Sequence, residues 1–157
     1  MCIRDRPNPG TGTILLNSGD HYFNGAFDYI GYAWHDVPGL QKFGSYVGNT
    51  AEAPFVELGF RPAILWIKCV TQNWYWAGFD SQRPVYNPND GRFIAFNSSG
   101  GESSGVHNNI DFLSNGFKIR STSTNSEPTN LNGQTYIYCA WAEAPNINLY
   151  GAQANAR

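Results

Sequence analysis

From residue 41 onward, apolar residues arrive in short runs separated by clusters of Gly, Asn, Asp, Ser and Pro, the pattern of strands and turns. Long periodic stretches rich in Glu, Lys, Ala and Leu, which would announce helices, are absent. Strands are predicted over residues 41–49, 55–60 and 63–70, with the Arg61-Pro62 pair turning the chain between the last two. The run Ala63-Ile64-Leu65-Trp66-Ile67-Lys68-Cys69-Val70 is the most apolar in the chain. Its apolar residues fall on both parities, which predicts a central strand covered on both faces for most of its length. Residues 74–79 fit an antiparallel partner for it, placing Trp74 and Trp76 on one face and Tyr75 on the other. A further strand is expected at 92–96. Residues 110–113 and 117–120 read as a hairpin joined at Ser114-Asn115-Gly116, with Ile110, Phe112, Phe117 and Ile119 inward and Lys118 and Arg120 outward. The last strand is expected at 135–142.

That last stretch is written twice. Phe27-Asp28-Tyr29-Ile30-Gly31-Tyr32-Ala33-Trp34-His35-Asp36-Val37-Pro38 shares Tyr-Ile, Ala-Trp, an acid and a Pro, in order, with Thr135-Tyr136-Ile137-Tyr138-Cys139-Ala140-Trp141-Ala142-Glu143-Ala144-Pro145. The offset is about 107 positions, and an Asn-Gly pair (Asn24-Gly25, Asn132-Gly133) precedes each copy. An offset of that size is a whole domain and too long for a solenoid unit. The expected organisation is therefore a C-terminal fragment of a preceding copy over 7–38, one complete β-sandwich over 39–145, and a tail or linker over 146–157. Residues 13–16 read as a short strand within the fragment. Residues 1–6, Met1-Cys2-Ile3-Arg4-Asp5-Arg6, read as a translated sequencing-adapter tag or a disordered terminus, being too charged and too short for a signal peptide.

Composition narrows the class. The chain has 157 residues, only 14% charged and 15% aromatic, with 17 Gly and 9 Pro. Many rings, many turn formers and few charges point to an all-β, antiparallel β-sandwich or jelly-roll-like fold. The formal net charge of -2 argues against nucleic acid or an anionic membrane as partner, and no apolar run is long enough to span a bilayer. Cys2, Cys69 and Cys139 make no disulfide framework. Cys69 and Cys139 read as buried free thiols, with a bridge between them as the alternative.

Several motifs together carry a resemblance: Phe43-Gly44-Ser45-Tyr46-Val47-Gly48-Asn49, Gly59-Phe60-Arg61-Pro62-Ala63, Ile67-Lys68, Tyr86-Asn87-Pro88, Ile110-Asp111-Phe112-Leu113-Ser114-Asn115-Gly116-Phe117-Lys118 and Tyr136-Ile137-Tyr138. As an ordered set over residues 24–145, they resemble the repeated β-domain of bacteriophage tail-fibre-like virion proteins common in marine metagenomic phages. The resemblance implies a place in a phage particle, in its tail, and no known chemistry; the seven or eight short strands with turns near every ten residues fit a jelly-roll or concanavalin-like architecture. The resemblance also implies that the partners are other copies of the domain in the parent chain, host surface glycans, and a homo-oligomeric assembly. The aromatic-rich Trp74-Tyr75-Trp76 departs from the family pattern.

No residue set defines a catalytic site, and a non-enzymatic domain without cofactor or metal is expected. Glycan hydrolysis needs two carboxyl groups flanking a cleft, but Glu57, Asp80, Asp90, Asp111 and Glu143 each have a local explanation. Ser103 or Ser104 with His107 and Asp111 lacks the Gly-x-Ser-x-Gly elbow. Asn87, Asn89 and Asp90 offer oxygen ligands of the calcium type in a run too short for a calcium loop. His21, His35 and His107 lack zinc spacing. The sharpest candidate is a glycan-binding set of Trp74, Trp76, Tyr86, Asn87, Asn89, Asp90 and Arg92, which places rings beside planar polar groups. Three readings follow: a structural repeat of a virion fibre that also contacts the host surface, a lectin-like carbohydrate-binding module, and, last, a polysaccharide-degrading domain.

Overall fold

The computed structural model describes residues 28–83, 87, 91–103, 108–121 and 128–144. The chain divides into two units, Met1–Trp34 and His35–Arg157. The expected strand at 13–16, the tail beyond 145 and the tag at 1–6 lie outside the described residues. In the first unit, residues 28–34 follow an irregular path, with Tyr32 and Trp34 stacked at 6.2 Å. The strand expected over this first copy is therefore not formed across 28–34. Strand structure is a property of a ladder, and the second copy has a neighbour on each side to supply one.

The second unit is an antiparallel β-sandwich. β1 (Gln41–Val47), β3 (Pro62–Cys69), β4 (Trp76–Asp80), β5 (Ile94–Ala95) and β8 (Thr135–Ala142) form one sheet in the order β1-β8-β3-β4-β5. β2 (Phe55–Glu57), β6 (Ile110–Leu113) and β7 (Gly116–Ile119) form the other in the order β2-β7-β6. β8 is the longest-range element of the fold, pairing with β1 from Gln41↔Trp141 to Val47↔Thr135 and with β3 from Pro62↔Ala142 to Cys69↔Tyr136.

Period-two alternation decides what lies inside. Leu65, Ile67 and Cys69 of β3 and Tyr136 and Ala140 of β8 are wholly buried, and Ala77 and Phe79 of β4 join them. From the smaller sheet come Val56, Ile110, Phe112, Phe117 and Ile119. Phe117 joins the layers, with its ring edge-on to both Tyr46 (6.1 Å) and Tyr138 (5.5 Å). Burying one such side chain contributes roughly 1.5–3 kcal/mol. Cys69 faces this core while Cys139 is on the opposite face of the sheet, so both are free thiols.

Where strands depart from expectation, the cause is local. β2 stops at Glu57 because the N–H groups of Leu58 and Gly59 both turn to the Asn115 carbonyl (2.8 and 3.0 Å), with Gly59 at φ +82°. β5 shrinks to Ile94–Ala95 because Phe93 pairs across to Ser103 and the chain turns at Phe96. β3 is central, as expected, but its outer side is only partly covered, with Ile64 43% exposed. β4 starts at Trp76, leaving Trp74 in irregular chain packed against the core. Trp74 and Trp76 therefore do not share a strand face.

The 110–119 hairpin forms as expected, yet its glycine has a different role. Leu113 pairs with Gly116, so the loop is Ser114-Asn115, and no non-glycine residue among those described has positive φ. Gly116 is the first residue of β7, where an added Cβ would stand 2.1 Å from the Val56 carbonyl oxygen. It is required by close approach of two backbones, not by the turn. Gly116→Ala is expected to destabilise by about 1–3 kcal/mol. Gly101→Ala, where nothing lies within 4 Å, should leave thermal unfolding followed by circular dichroism close to wild type.

Candidate functional site

Residues paired across neighbouring strands share a face, and this builds an aromatic band on the solvent side of the larger sheet. Phe43, Cys139, Trp66 and Gly78 form one row across β1, β8, β3 and β4, and Gln41, Trp141, Ile64 and Asp80 the next. Phe43 meets Trp141 at 5.8 Å, Trp141 meets Trp66 at 4.7 Å, and Trp66 meets Phe96 at 5.0 Å. All three contacts are edge-to-face, the arrangement favoured by the ring quadrupole. The Phe96 ring lies over Gly78, where a Cβ would come within 2.2 Å of it. Ile64, Ile94 and Phe96 extend the band into solvent, and burial raises the Cys139 thiol above its usual range.

The polar rim is largely self-satisfied. Lys68 donates through Nζ to the carbonyls of Trp74 (2.6 Å) and Cys69 (2.9 Å), tying down the β3–β4 connection. Arg83 pairs with Asp80 and, at 3.4 Å, with Glu102, which also meets Arg92 at 3.7 Å. Arg61 and Glu143 pair at 3.0 Å on the surface. Asp111 faces Arg120 at 3.5 Å. Glu57 ends β2 on an exposed position. The carboxylates considered for hydrolysis are thus spread around the sandwich, with Asp90 outside the described residues. Ser104 and His107 also lie outside them, while Ser103 pairs through its backbone with Phe93. Among the described residues no cluster of His, Cys, Asp and Glu could hold a metal ion.

The glycan-binding set is only partly gathered. Trp76 is on the outer face, paired with Lys68 and donating its backbone N–H to Asn97 Oδ1 (2.8 Å). Trp74 turns to the core. Arg92 contacts Glu102. Asn87 is committed elsewhere: its Nδ2 donates to the Phe112 carbonyl (2.8 Å) and its Oδ1 accepts the Phe112 N–H (3.1 Å). It therefore imitates a strand residue on the outer edge of β6 and occupies hydrogen-bonding groups that would otherwise be open to another chain. Tyr86, Asn89 and Asp90 lie outside the described residues. Phe43, Trp66, Phe96 and Trp141 were absent from that set. The available signal was parity: Trp66 and Trp141 alternate with the inward residues of β3 and β8, and pairing those strands puts the two rings side by side.

Fold and face together define a two-sheet antiparallel β-sandwich module bearing an outward aromatic band. The chain belongs to the family described as Domain of unknown function (DUF7483), which matches residues 3–145. No curated protein and no solved structure matches it.

Asp80 supplies a pH test. Burial alone raises its carboxyl. The N–H groups of Arg83 and Gln82 and then the Arg83 guanidinium outweigh that and hold it below the usual carboxylate range. A depressed folded-state value stabilises the fold at pH above the unfolded value, about 3.9, and that contribution is lost as pH falls through the folded value. Asp80→Asn is expected to lower the melting temperature at pH 7, with the difference from wild type shrinking as melts are taken toward pH 3.

Proposed function

We propose that this chain is a structural repeat domain of a phage tail-fibre or related virion protein, without enzymatic activity of its own. Its neighbours are further copies of the domain in the parent chain, assembled as part of a homo-oligomer. The observation that carries this reading is the closing-strand sequence, present twice at a domain-length offset, whose second copy is β8, held between β1 and β3. An element that depends on partners far away in sequence is kept at a fixed interval when the whole unit is repeated. Low charge, and a rim whose ion pairs satisfy one another, suit a spacer unit in a fibre. Trypsin releases residues 93–118 as one peptide. That peptide is expected in mass spectra of purified virions from a community carrying the gene, and its confinement to the cellular fraction would remove the reading.

A second reading, host-surface glycan binding by the outer face, is favoured by the aromatic band with Trp76 beside it. Apolar ring surface beside a few fixed polar groups is the general make-up of a ligand site. Titration of the full chain with bacterial surface polysaccharides is expected to show saturable binding weakened about tenfold, near 1.4 kcal/mol, by Trp76→Ala. Binding unchanged in that variant would take recognition away from this face.

A further inference from the structure

The two copies of the closing-strand sequence stand in different surroundings. In the second, Tyr136, Tyr138 and Ala140 point into the core, and Ile137, Cys139 and Trp141 point out. In the first, Tyr29 (46%), Ile30 (84%), Tyr32 (77%) and Trp34 (54%) expose large apolar surfaces within six residues.

Superposing the copies at their common offset sets Tyr29 on Tyr136, Ile30 on Ile137, Ala33 on Ala140 and Trp34 on Trp141, all identities. It also sets Gly31 on Tyr138 and Tyr32 on Cys139. With the alternation of β8, Tyr29, Gly31 and Ala33 take the inward positions, and Ile30, Tyr32 and Trp34 the outward ones. We infer that residues 28–34 are the β8 strand of a preceding copy of this sandwich, and that their binding partner is the slot between β1 and β3 of that copy. This rests on the repeat reading above and adds the slot, the register and a size rule.

The size rule comes from Gly44. It pairs with Tyr138 across β1 and β8, and a Cβ at Gly44 would lie 2.6 Å from the Tyr138 hydroxyl oxygen. The phenol end of Tyr138 stands where a side chain at Gly44, itself exposed, would begin. In the first copy the partner position holds Gly31, so nothing covers the β1 residue opposite. A slot suited to residues 28–34 therefore carries a large apolar side chain where this copy has Gly44, filling the volume that Tyr138 fills here.

The test uses the full chain. Four substitutions, Thr135→Asp, Tyr138→Gly, Cys139→Tyr and Ala142→His, turn residues 135–142 into the sequence of residues 28–35. This four-residue variant is prepared with and without Gly44→Phe, beside Tyr138→Gly alone and Tyr138→Gly with Gly44→Phe. Tyr138→Gly is expected to lower the melting temperature, and Gly44→Phe to restore at least half of the loss. The four-residue variant with Gly44→Phe is expected to melt cooperatively and above its counterpart without it. If that variant fails to fold while Tyr138→Gly with Gly44→Phe folds, residues 28–34 are not a β8 strand. If Gly44→Phe restores nothing in either background, the size rule fails and the slot assignment with it. Neither outcome bears on virion membership, which the peptide measurement decides separately.

Discussion

Two stacked tyrosines set the terms for one end of this sandwich. Tyr46 and Tyr136, 5.1 Å apart on β1 and β8, are drawn into the core by their rings but carry hydroxyls that need partners there. The Tyr46 hydroxyl donates to the Thr129 carbonyl at 2.6 Å, and the Tyr136 hydroxyl accepts the Leu131 N–H at 2.8 Å. The chain before β8 is thereby drawn across the end of the core, which forces its own polar groups inside. Asn130 meets that demand: it accepts the Asn49 N–H and donates to the carbonyls of Asn49 and Ser121. Thr129 reaches Asn108 in turn. Burial also pushes the Tyr46 hydroxyl well above its ordinary pKa, with Tyr136 and Cys69 adding to the effect. It therefore stays a neutral donor throughout the physiological range. Removing any one group leaves another buried without a partner, so the network behaves as a unit.

The same economy appears wherever large rings meet glycines. Tyr138 covers Gly44 and Phe96 covers Gly78. In both cases a ring stands where the strand residue's side chain would begin. The layers then close around Phe117, which touches rings from both β1 and β8. Two asparagine side chains substitute for missing strands, Asn130 on Asn49 and Asn87 on Phe112, each using both amide atoms against one residue's backbone.

β8 links this architecture to the proposed role. Its inward face supplies Tyr136, Tyr138 and Ala140 to the core; its outward face supplies Trp141 to the aromatic band. One strand thus contributes to both stability and the exposed surface. A sequence constrained on both faces is the kind that recurs recognisably when a domain is repeated. The band's rings meet edge-to-face, so it presents a corrugated apolar surface.

Much of the fold was legible in order. The all-β class, the limits of the closing strand, the hairpin and its facing, and the central place of the 63–70 run all follow from alternation and turn chemistry, which are local properties of neighbouring residues. The candidate site was legible only in part. Alternation separates the two faces of a strand but does not say which strands lie side by side, so Trp66, Trp141, Phe43 and Phe96 gave no sign of forming one band. The start of β4 depended on where Lys68 anchors the preceding turn, which sent Trp74 inward and left Trp76 outside. Asn87 looked like a ligand because an amide serves equally well for a sugar and for a backbone, and only the proximity of Phe112 chose between them. Local pattern determined the strands; pairing between residues far apart in sequence, which no local pattern encodes, decided what they built together.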